Sequence, residues 1–96
     1  MPPLKWTPRA LACVRELFDF LAEKDVDAAR LAVSAIRKKV ALLAQNPSIG
    51  RPALDLEPEH RELLVSFGAN GYVVLYHATP DLILILSVRH QKEVGY

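Results

Sequence analysis

The chain has 96 residues, a formal net charge of +1 and one cysteine, with 51% hydrophobic and 24% charged residues. These values exclude a disordered chain, an intramolecular disulfide and a strongly cationic nucleic-acid binder, and they fit a single domain over 1–96. The charge is uneven, with eight Lys/Arg against five Asp/Glu in residues 1–50 and four against six in residues 51–96.

The N-terminus, Met1 to Trp6, holds no apolar core of signal-peptide length. Leu4 to Thr7 reads as a short strand. Thr7-Pro8 then starts a helix, because Thr7 can accept a free backbone N–H and Pro8 suits the first helical position. Leu11, Val14, Phe18 and Leu21 give that helix its apolar face, and it ends near Glu23 or Lys24. Asp25 or Asp27 caps a second helix with a seam of Ala29, Val33, Ile36, Val40 and Leu43, ended by Asn46-Pro47. The short link predicts an antiparallel helical hairpin. Residues 47–60 read as a loop. From Glu62 the period changes to two, with Leu63, Val65 and Phe67 alternating with Glu62, Leu64 and Ser66. Gly68 to Gly71 is a turn with Asn70-Gly71 as its strongest cue, and Tyr72 to His77 is the next strand. Ala78 to Asp81 turns again. Leu82 to Val88 is a third strand, apolar on both faces and so expected to be interior. Leu82 to Leu86 is far too short to cross a bilayer, so no membrane association is expected, and the chain is expected to be soluble and cytoplasmic.

The expected fold is α+β in the order β-α-α-β-β-β, a helical hairpin packed on a small antiparallel sheet. The other sheet face is left open, or is covered by the tail or by a partner. The high apolar share in so small a chain also points to a partner that covers exposed apolar surface.

This order resembles the RelE/ParE toxin superfamily. The resemblance covers nearly the whole chain. It is carried by Trp6-Thr7-Pro8, Ala28-Ala29, Asn46-Pro47 with Gly50-Arg51-Pro52, Arg61-Glu62-Leu63, Tyr72 to Tyr76, and Val88-Arg89-His90. It implies a cytosolic toxin of a type II toxin–antitoxin module, active in growth inhibition and plasmid stabilisation. A cognate antitoxin would neutralise it, in a toxin–antitoxin hetero-oligomer. Two chemistries follow from it. ParE-like members inhibit DNA gyrase. RelE-like members enter the ribosome and cut mRNA. A third expectation is an inactive remnant that only binds antitoxin.

RNA cleavage through the 2′-hydroxyl needs a base, cations for the phosphorane and an acid for the leaving oxygen. RelE-like toxins resemble one another in crowding basic residues onto the sheet and the loop before it. Here that loop, residues 52–59, carries Asp55, Glu57 and Glu59 and no lysine. The acidic loop and near-neutral charge favour the ParE-like branch. Arg61 and Arg89 are the expected target contacts. If the chain is a nuclease, Arg61, Arg89, His90, Tyr96 and Glu57 are the expected catalytic set, with His90 as acid and Glu57 or Glu59 as base. Leu11, Phe18 and Leu31 on the hairpin, with Leu64 and Val74 on the meander, are the expected antitoxin contacts. His60 and His77 have no ligand-spaced companions, so neither a metal nor a cofactor is expected. Arg37-Lys38-Lys39 reads as a solvated face.

Overall fold

The computed structural model describes residues 2–92. Strand β1 (Leu4–Trp6) leads into helix α1 (Pro8–Ala22), and helix α2 (Val26–Ala41) follows after three residues. A single 3-10 turn (Leu42–Ala44) ends the helical part. A two-residue strand β2 (Arg51–Pro52) precedes β3 (His60–Phe67), β4 (Asn70–Ala78) and β5 (Ile83–His90).

Side chains on both helices close the open backbone groups at their N-termini. The Ala10 N–H donates to Thr7 Oγ1 at 3.1 Å, and the Ala28 N–H donates to Asp25 Oδ1 at 3.1 Å. Asp27 stands in the first turn of α2 and Lys38 and Lys39 in its last, each suited to the helix dipole. The buried seam of α2 is Ala29, Ala32, Ile36 and Val40, with Leu43 beyond. Val33, expected in that seam, is only half-buried, because α2 turns Ala32 rather than Val33 towards the sheet.

The sheet order is β1-β5-β4-β3-β2. The β3–β4–β5 meander is antiparallel, as the alternation predicts. The sheet as a whole is mixed, since β1 lies parallel to β5 with Leu4 opposite Ile83 and Trp6 opposite Ile85. Thr7 fastens that junction, because its hydroxyl donates to the Ile85 carbonyl at 2.8 Å while capping α1. Strand β2 lies inside the expected loop. It pairs Arg51 with Glu62 and Pro52 with Arg61 at the sheet edge, where the missing proline N–H costs no ladder bond.

The helices cover one sheet face. Leu63, Val65, Tyr72, Val74, Tyr76, Ile83, Ile85 and Val88 point into that core, with Ile36, Val40 and Leu43 above them. Strand β4 is the central strand, and Tyr72 to Tyr76 are all buried. The β3–β4 turn is tighter than the sequence cue suggests. Phe67 pairs with Asn70, leaving Gly68 and Ala69 between, and Gly68 alone takes a positive φ of 61° there. Asn70 and Gly71 belong to β4. Gly71 is needed because an added Cβ would stand 2.2 Å from the Val65 carbonyl oxygen.

Candidate functional site

The face of the sheet turned away from the helices is built by the other parity of each strand. Glu62 and Leu64 of β3, Val73 and Leu75 of β4, and Arg89 of β5 occupy it, with Glu62 opposite Leu75 and Arg89 opposite Val73. Val73 and Leu75 are buried although they lie outside the helix-packed cluster. Over them the polar side chains meet. Glu62 accepts a hydrogen bond from Arg51 Nε at 3.0 Å on one carboxylate oxygen, and Arg89 Nη2 stands 3.6 Å from the other. The Glu62 and Arg89 side chains are both largely buried. One carboxylate thus serves two guanidinium groups, and the cations of this face are answered from within the chain. Further along the same face His60 and His77 stand opposite each other, edge to face at 4.9 Å.

Arg61 is elsewhere. It shares the parity of Leu63 and Val65, so its side chain lies on the helix side, and its Nη1 donates to the Gly50 carbonyl at 2.8 Å. Beside it the Tyr76 hydroxyl accepts from the Gly50 N–H at 3.0 Å and donates to the Pro47 carbonyl at 2.8 Å. Burial raises the Tyr76 pKa above the ordinary tyrosine value, against the lowering influence of the Gly50 N–H and the Arg61 charge. Gly50 admits no side chain, since a Cβ would lie 2.5 Å from the Tyr76 oxygen. Arg61, Tyr76 and Gly50 therefore form a clasp that holds the loop to the sheet.

The expected nuclease set does not converge. His90 pairs with Tyr72, packs edge to face on its ring at 5.7 Å and accepts the Lys92 N–H on Nδ1 at 3.2 Å. It faces the helix side, opposite to Arg89. Arg61 pairs with Tyr76, four residues along β4 from Tyr72, or about 13 Å. Glu57 lies exposed in the loop before β3. Tyr96 lies outside the described residues.

Of the expected antitoxin contacts, Leu11 is 51% exposed, Leu31 63% and Leu64 43%, while Phe18 is half-buried. Val74 must be corrected. It is 0% exposed and packed under the helices, so it offers no surface to a partner. Phe20, at 70% exposure, was not singled out by the sequence reading. Its position on α1, off the stripe of Leu11, Val14, Phe18 and Leu21, was the available signal. It stands at the rim of a cleft of about 640 Å³ between α1 and the β3–β4 hairpin, walled by Cys13, Leu17, Phe67, Tyr72 and His90. Among the described residues no helix is long and apolar enough to cross a membrane.

A family model described as the ParE toxin of type II toxin–antitoxin system, parDE, matches residues 4–95. The chain is 36% identical over 93 residues to Toxin RelE3 of Caulobacter vibrioides, covering 97% of this chain and 98% of that one. A solved structure from the chromosomal ParDE TA system of P. aeruginosa superposes with a TM-score of 0.80 at 27% identity. It covers 94% of this chain and 96% of that chain.

Proposed function

Because the chain belongs to the ParE toxin family of type II toxin–antitoxin systems, we propose that it arrests growth by protein–protein contact with DNA gyrase and is neutralised by a cognate antitoxin. The observation that carries this reading is the Glu62 carboxylate set between Arg51 and Arg89. A nuclease face needs cations that can stabilise a phosphorane. Here a buried carboxylate already compensates them, and it would repel a phosphate brought alongside. Such a self-compensated polar patch over an apolar floor suits a protein surface instead, where arginine is a frequent anchor. The exposed acids of the loop before β3 support the same reading.

A second reading, ribosome-dependent cleavage of mRNA, is favoured by the 36% identity to a protein named RelE3. It would have to use residues that lie on opposite sheet faces.

In this reading Arg89 is the target contact and Arg61 a loop clasp. Expressed without its antitoxin, the wild-type chain is expected to stop bacterial growth. Arg89→Ala should blunt the arrest by an amount corresponding to about 1–3 kcal/mol of lost target binding. Its melting temperature should fall as well, because a largely buried ion pair with Glu62 is broken, so the arrest is compared at equal amounts of folded chain. Full toxicity in Arg89→Ala on that basis would remove Arg89 from the contact. Normal growth with the wild-type chain would remove the active-toxin reading.

A further inference from the structure

His60 and His77 stand directly opposite each other on β3 and β4, on the sheet face turned away from the helices. Their ring centres are 4.9 Å apart and their planes meet at 69°. Both residues are half-buried, so solvent reaches the pair. The Nδ1 of His60 is buried and has no hydrogen-bond partner. Neither ring joins an ion pair among the described residues. On one side the pair is flanked by Ala53, whose N–H donates to the His60 carbonyl at 3.1 Å. On the other side Leu84 lies opposite His77. No lysine or arginine therefore stands next to either imidazole across the sheet. The two histidines belong to different strands, and only the register brings them together.

We infer that His60 and His77 form a two-imidazole site for a divalent transition ion such as zinc or nickel, with water in the remaining positions. With metal–nitrogen bonds of about 2.0–2.1 Å and each ring centre about 1.2 Å behind its nitrogen, two imidazoles on one ion have centres about 4.6 Å apart at a right angle and about 5.3 Å apart at the tetrahedral angle. The observed 4.9 Å falls between these values. An edge-to-face contact alone also accounts for the distance, but it leaves the buried His60 nitrogen unsatisfied. A half-turn about χ2 exchanges nitrogen and carbon within one ring outline, so His60 can face an ion without repacking. Imidazole suits zinc, copper and nickel, whereas magnesium and calcium prefer oxygen ligands. Among the described residues no third His, Cys, Asp or Glu completes a metal cluster, so the two rings are the whole protein contribution. An ion held there ties β3 to β4 at the end of the hairpin away from its turn, and so stabilises the folded chain. The site is independent of how the chain arrests growth.

The test titrates the full chain, free of any affinity tag, with zinc chloride and with nickel chloride by calorimetry at neutral pH. A saturable site is expected for these ions and none for magnesium. His60→Gln and His77→Gln should each weaken binding by at least about tenfold. His90→Gln removes the third histidine, which sits opposite Tyr72, and should bind as the wild type does. Circular dichroism checks the fold of each variant. Ring-nitrogen NMR of the wild-type chain gives the answer without any substitution. The signals of His60 and His77 should shift together as ion is added, while that of His90 stays in place. The melting temperature should rise with zinc in the wild type and not in His60→Gln. No saturable binding of either ion, equal affinity in His60→Gln and wild type, or ring signals that move only at His90 would each overturn the inference.

Discussion

The hydroxyl of Tyr76 holds two backbone groups of the loop before the sheet, the Gly50 N–H and the Pro47 carbonyl. Tyr76→Phe keeps the packed ring but leaves both groups without that oxygen. Unfolding in urea should show a loss of about 1–3 kcal/mol, the cost of unsatisfied buried polar groups. Protonation makes the same contact depend on pH. Burial raises the folded-state pKa of Tyr76, so the folded chain keeps a proton that the unfolded chain gives up. The stabilisation is complete below about pH 10 and is lost as pH rises through the folded value. The wild type should therefore lose stability on alkaline titration more steeply than Tyr76→Phe, read by urea midpoints at successive pH values. Equal slopes would show that the phenol is not the titrating element. At this scale the sequence is only half legible. The inward direction of Arg61 follows from its parity with Leu63 and Val65. Its acceptor, the Gly50 carbonyl, could not be read, because the loop's path depends on a tyrosine 26 residues further on. Val74 was misplaced for the opposite reason. Strand β4 is apolar on both faces, so parity does not tell which face the helices cover.

Among the elements, α1 is the most fully written in the sequence. Thr7-Pro8 announces its start, and the same threonine oxygen that caps it also donates to the Ile85 carbonyl. Thr7→Ala should cost about 0.5–2 kcal/mol for the cap, towards the upper end because the tie to β5 goes with it. Thr7→Ser should recover most of the loss. An alanine variant as stable as wild type in thermal melts would mean that Pro8 and burial alone set the helix start. The helical hairpin and the meander were legible because each shows its period over several turns or alternations. Strand β2 was not, since two residues carry no period and Pro52 argues against a strand. The parallel pairing of β1 was also hidden, because three residues do not show which neighbour they join. In the β3–β4 hairpin the Asn70-Gly71 cue drew attention from Gly68, whose positive φ makes the turn. Gly71 serves instead as the place where β3 comes too close for a side chain.

For the whole molecule, the excess of acids in the C-terminal half becomes a spatial fact. That half builds β2 to β5, and its arginines are drawn to the chain's own oxygens. Arg51 and Arg89 meet Glu62, and Arg61 meets a loop carbonyl. The N-terminal excess of cations lies mostly on the helices, where Arg30, Arg37 and Lys38 line one hollow beside Phe18. The molecule thus separates a compensated sheet face from a basic helical face. Charge counts by half-chain foreshadow this, while the individual pairings need the strand register. A ribosomal nuclease would need the reverse arrangement, with clustered cations at the sheet and attack that weakens steeply with salt. The most direct measurement adds the purified chain, free of antitoxin, in parallel to a gyrase supercoiling reaction and to ribosomes translating a defined mRNA. The account predicts that supercoiling is inhibited in proportion to toxin while the mRNA stays full length. Undisturbed supercoiling together with cleaved mRNA on the ribosomes would contradict it.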